Sequence, residues 1–145
     1  MKRIVMFLCG FLPLPLGYFL RHLLMNVWLY SIPAGILFLM GCAVLVLWFM
    51  LGFIFVRNYA SKLEAVLCLN TAAALALVFI ILLISTLFIG RATIVAELFY
   101  LPLLRLQFIL LSAFTTLDIT VAYFSAFGCL VIVSWLGAEM GERTR

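Results

Sequence analysis

Charge is what this sequence has least of. Only 10% of its 145 residues are Asp, Glu, Lys or Arg, against 69% in the hydrophobic class. A soluble domain carries about 25% charged residues and is about half apolar. A chain of this size folded in water could not hide so much apolar surface. The shortage is also uneven: residues 23–56 and 65–90 hold no charged side chain at all. About 20 residues at 1.5 Å rise cross the hydrocarbon core of a bilayer, so either stretch is long enough to span it.

Groups that carry chemistry are scarce too. There is one histidine, His22, and no HExxH, GxSxG or glycine-rich phosphate loop. Intramembrane hydrolysis needs a nucleophile with a base, two acids or a set of metal ligands, and the charge-free runs contain no pair of carboxylates. Cys9, Cys42, Cys68 and Cys129 each sit in an apolar run without a CxxC pair. Zinc and redox sites need thiolates at short spacing, so these cysteines read as small packing residues. The expectation is a non-catalytic chain with no metal and no cofactor. The net charge of +4 does not indicate nucleic acid, because the basic residues flank apolar runs, where cytoplasmic loops collect Lys and Arg.

What is present reads as helices. Lys2 and Arg3 before an apolar run resemble a signal peptide, but no small-x-small cleavage site follows, and Leu8 spoils a lipoprotein box before Cys9. An uncleaved first span over about 4–25 is expected, kinked by Pro13, Pro15 and Gly17. Trp28 and Tyr30 suit an interfacial belt, and Ser31 and Pro33 suit the start of a second span over about 32–56. Ser61-Lys62-Leu63-Glu64 matches a capping box opening a third span over about 63–89, which Gly90 can end. The last span, about 119–138, takes Asp118 as its N-cap. Between them, residues 91–117 carry Arg91, Glu97, Arg105 and Pro102 and read as an interfacial or re-entrant segment.

The positive-inside rule supports this count. With four spans, Lys2, Arg3, Arg57, Lys62, Arg143 and Arg145 lie inside and Arg21, Arg91 and Arg105 outside, six against three. A fifth span moves Arg143 and Arg145 outside and puts Arg105 in the bilayer, four against four. The fold expected is therefore all-α: one integral membrane four-helix bundle with a kinked first helix, and both termini cytoplasmic. A bacterial inner membrane is the expected location, from compact size and simple topology.

Two stripes of small residues recur at helical spacing: Ala122, Ser125, Ala126 and Cys129, and Ala65, Cys68, Ala72 and Ala76. Such faces let helices approach closely in lipid, either within one bundle or between copies. Asn70-Thr71 is an unusual polar pair inside a span, either interhelical glue or a functional group. Asn70-Thr71-Ala72 is similar to the Asn-Thr-Ala of the small diacylglycerol and undecaprenol kinases. The acidic residue that follows in that family is replaced here by Ala73-Ala74, so the magnesium-holding carboxylate is missing and the likeness implies no kinase. Glu97, Arg105, Arg91 and Asp118 form a mixed-sign cluster that suits either a gate at the outer mouth or charges turned to headgroups. With Asn70 and Thr71 they are the candidate polar residues. Arg57, Lys62, Arg143 and Arg145 are the surface a cytoplasmic partner could dock on.

These residues point to a membrane subunit that contacts lipid and associates with its own copies or with a partner protein. It would act as a pore component or as the anchor or sensor of a multi-component bacterial system. The alternatives are a small transporter or flippase, and a lipid enzyme.

Overall fold

The computed structural model describes residues 2–26, 34–86, 91–111 and 119–145. Among the described residues there are six helices and no strand: α1 (Lys2–Cys9), α2 (Pro13–Asn26), α3 (Ala34–Asn58), α4 (Lys62–Thr86), α5 (Arg91–Leu111) and α6 (Ile119–Arg143). The expected features at Trp28, Tyr30, Ser31, Pro33, Gly90 and Asp118 lie outside the described residues.

Backbone groups in lipid must bond internally, which leaves helices as the economical solution for long apolar runs. Four stretches are long and apolar enough to cross a membrane: Arg3–Leu23, Gly35–Asn58, Lys62–Leu82 and Thr120–Arg143. The chain is a multi-pass helical membrane protein. Its outside agrees: Leu8, Phe19, Leu39, Val46, Leu67 and Ile132 are exposed around the bundle, a distribution that suits acyl chains and not water. Small residues turn inward instead. Ala65, Ala72, Ala73, Ala122 and Ala126 are buried, as expected where close helix approach replaces hydrophobic drive.

The first span is broken. Pro13 and Pro15 sit in the first turn of α2, where a missing N–H is harmless. The chain between α1 and α2 tightens: the N–H groups of Phe11, Leu12 and Leu14 donate to the carbonyls of Leu8, Cys9 and Phe11, three residues back. α3 ends with the Phe55 carbonyl accepting from both Tyr59 and Ala60. α4 begins with half of the expected capping box. The Glu64 N–H donates to Ser61 Oγ at 3.4 Å, but the Glu64 carboxylate turns away and pairs with Arg3.

That pairing and the one between Lys62 and Glu139 gather the start of α1, the start of α4 and the end of α6. Both chain ends therefore lie at one end of the bundle, the charged end, and α3 and α6 run in the same direction toward it. Among the described residues theirs is the most extensive helix–helix contact. A Cβ on Gly137 would stand 2.1 Å from the Phe49 carbonyl oxygen, and one on Gly141 would stand 2.5 Å from that of Phe53. The pairs repeat one turn apart, a parallel approach of the Gly-x-x-x-Gly kind.

α5 is not among those four stretches; its apolar part, Ile94–Leu104, is shorter. It packs on α2, α3, α4 and α6, with Phe99, Tyr100 and Leu103 buried. Leu98 meets Gly17, Leu106 meets Gly41, and Gln107 meets Ser125. At 1.5 Å per residue these partners lie about 20, 25 and 27 Å from the charged end. α5 is therefore a tilted wedge in the far half of the bundle. Pro102 inside it leaves the Leu98 carbonyl without its helical donor. That carbonyl faces Gly17, where a Cβ would stand 1.8 Å from the oxygen. Only a glycine admits such an approach.

Candidate functional site

Polar side chains occur at three levels. At the charged end Glu139 takes both Lys62 and Arg143, the latter with Nε 3.2 Å from Oε1. Lys62 also stands 4.1 Å from the Trp135 ring centroid, and Arg57 stands 5.8 Å from that of Phe53. Of the expected docking residues, Lys62 is half-buried and committed to α6, whereas Arg57, Arg143 and Arg145 are exposed. Exposed ion pairs contribute about 0–1 kcal/mol, so this belt sets helix register more than it holds the fold.

One level deeper, Asn70 is 5% exposed and joins three helices. Its Oδ1 accepts from Trp48 Nε1 of α3 at 3.2 Å. Its Nδ2 donates to the Val66 carbonyl at 2.9 Å and to Ser134 Oγ of α6 at 2.8 Å. Ser134 Oγ donates in turn to the Val131 carbonyl at 2.9 Å. The amide is fully used and nothing in the group ionises, so chemically it is a lock between α3, α4 and α6. Thr71 bonds back to the Leu67 carbonyl at 2.7 Å, the local habit of helical threonine.

The third level belongs to α5. Tyr100 donates to the Ala73 carbonyl at 2.7 Å, and its ring meets Tyr123 edge-on with centroids 5.6 Å apart. Ser125 Oγ donates to Gln107 Oε1 at 2.8 Å. Gln107 is 1% exposed, and its Nε2 has no partner among the described residues. Burying such a group without a bond costs about 1–3 kcal/mol. Glu97 is exposed on the same helix. Arg91 and Arg105 also lie on α5, Arg91 as its first residue, and Asp118 lies outside the described residues. Among the described residues no hydrogen bond or ion pair joins Glu97 to Asn70 or Thr71.

The small-residue stripes are occupied within the chain. Ala65, Ala72 and Ala76 of α4 and Ala122 and Ala126 of α6 are buried; Cys68, Ser125 and Cys129 are half-buried. All four cysteines are free thiols, and among the described residues no three His, Cys, Asp or Glu side chains converge.

Beside the break in the first span lies an apolar groove of about 340 Å³, lined by Phe11, Leu14, Ala76, Phe79, Val95 and Phe99 among others. It opens sideways, since Phe79 and Val95 are exposed.

Sequence reasoning did not single out Trp48, Ser134, Tyr100, Gln107 or Glu139. Gln107 and Ser134 carried the same signal as Asn70, a polar group in an apolar helix. Trp48 and Tyr100 carried none, because an aromatic in a span reads as packing.

Compared with known proteins, the chain matches no family model, no curated protein and no solved structure.

Proposed function

We propose that this protein is a non-catalytic membrane subunit, the anchor or sensor of a multi-component bacterial system in the inner membrane, with both termini in the cytoplasm. The observation that carries the reading is how the interior is used. Trp48, Phe99 and Tyr100 fill the middle of the bundle, and the Asn70 amide is consumed by bonds between helices. Among the described residues, an interior so filled presents no polar lumen to an ion. What it offers outward is a charged end with Arg57, Arg143 and Arg145 exposed, the surface a cytoplasmic partner would use.

Reconstituted alone, the protein should leave liposomes as tight to ions as protein-free vesicles. Cross-linkers at Arg57 and Arg143 in native membranes should capture a defined partner, and Arg57→Glu with Arg143→Glu should abolish that product. Conductance from the isolated chain that changes with Glu97→Gln would replace this reading with a pore formed between copies.

A small transporter or flippase is the second reading. The broken first span and the groove beside it favour it, since interrupted helices border substrate paths in transporters. Saturable uptake by the purified protein is the outcome that selects it.

A further inference from the structure

We propose that the groove between the α1–α2 break, α4 and α5 is a binding site for one anionic phospholipid, with an acyl chain in the groove and the phosphate on Arg21. The groove has the volume of a ligand site, about 300–1,000 Å³ being usual. Its lining is apolar throughout, and a buried water needs two to four polar partners, so hydrocarbon is the filling it accepts. Its lateral opening faces the acyl-chain region, because Leu75, Phe79 and Val95 are exposed in line with the rest of the lipid-facing belt.

A cation marks one end of it. Arg21 is the one charged side chain between Arg3 and Leu23. Leu14 and Arg21 are seven residues apart on α2 and so share a face, about 10 Å apart along the axis. Arg21 therefore stands above the groove, toward the far end of the bundle, where the headgroups of that leaflet begin. It makes no ion pair among the described residues. Its helical neighbour Gly17 packs that part of α2 against α5, so cation and groove lie on one helix–helix contact. An anionic phospholipid presents an anion and an apolar chain in this order and spacing.

A second copy of this chain is the poorer occupant. Of its five acidic residues, Glu64, Glu139 and Glu142 lie at the charged end, away from Arg21. That leaves Glu97 and Asp118 to meet the cation.

Native mass spectrometry of the full chain, released from detergent containing equal dioleoyl phosphatidylglycerol and dioleoyl phosphatidylcholine, tests this directly. Phosphatidylglycerol should be retained as one molecule per chain, about fivefold over phosphatidylcholine. Arg21→Gln should bring the two lipids level without lowering phosphatidylcholine, and Arg21→Lys should restore most of the preference. Val95→Trp, which narrows the mouth from α5, should reduce both lipids. Leu75→Trp narrows it from α4 and answers the same question if the first variant does not fold. Equal retention by the unaltered protein overturns the proposal, as does a preference that survives Arg21→Gln. Lipid retention indifferent to both tryptophan variants also overturns it. So does a dimer mass that these variants convert to monomer with no change in lipid, which would make the groove a contact between copies.

Discussion

In the half of the bundle that carries both chain ends, α3 and α6 run side by side with glycine backbone against carbonyl, and every atom of the buried Asn70 amide is bonded. In the opposite half a fifth helix is wedged among the others. It contains a proline, buries a glutamine whose amide nitrogen has no partner among the described residues, and leaves a groove open to lipid. The buried amide of the first half is fully bonded; the second holds the helix interrupted by Pro102 and a glutamine nitrogen with no partner among the described residues. Lipid tolerates irregular backbone only where protein covers it, which is why the wedge touches four other helices. The difference teaches where a functional change of shape would be cheapest. Among the described residues the helix interrupted by a proline sits in the far half.

Glycine replacement gives the strongest way to break this comparison. Gly137→Leu places a side chain on the Phe49 carbonyl with no flexible neighbour to yield, so it should destabilise by roughly 3 kcal/mol or more. Gly17→Leu meets the Leu98 carbonyl even more closely, but there the obstacle is a tilted helix that can shift. Its penalty should be smaller, about 1–3 kcal/mol. Unfolding by sodium dodecyl sulfate in mixed micelles ranks the two. A larger loss for Gly17→Leu means that the far half is the rigid one.

Buried amides supply the next contrast, with opposite signs. Asn70→Leu strands the Trp48 N–H and removes the link to Ser134; interhelical bonds of this kind are worth about 0.6 kcal/mol each and up to about 1.7, so a loss of about 1–2 kcal/mol is expected. Gln107→Leu removes a buried N–H group that has no partner among the described residues, and the Ser125 hydroxyl can turn its one proton to the Ala122 carbonyl at 3.0 Å. It should be neutral or stabilising by up to about 1 kcal/mol. The same unfolding assay reads both. Equal losses from the two variants would mean that Gln107 is as fully bonded as Asn70.

How much of this was legible beforehand follows from where each signal resides. The spans are written in charge-free length, a property of composition, and the kink in Pro13 and Pro15, a property of the backbone. Residues 91–111 were readable as irregular because Glu97, Pro102 and Arg105 conflict with a plain span. Their packing was not readable, since it depends on Gly17 and Gly41, far off in sequence, accepting α5. Gly137 and Gly141 were in plain view, but Gly141 lay beyond the expected end of the last span near Ala138, whereas α6 continues to Arg143. Asn70 stood out as a polar group, but its partners Trp48 and Ser134 come from two other helices and no local pattern names them.

The charged end gives the smallest effect and the sharpest test of what that half relies on. Lys62 has two partners of different physics, the Glu139 carboxylate and the face of Trp135. The ion pair is screened by salt, with a Debye length of about 10 Å at 0.1 M and about 3 Å at 1 M. The contact with the ring is short-ranged and partly desolvated and should persist, at about 0.5–1 kcal/mol. Lys62→Gln should therefore lower stability by about 0.5–1.5 kcal/mol at low salt. Raising the salt to 1 M should shrink that difference without abolishing it, and Trp135→Leu should remove the remainder. If the Lys62→Gln penalty disappears completely in 1 M salt, the ring contributes nothing, and that half is held at its rim by ion pairs alone.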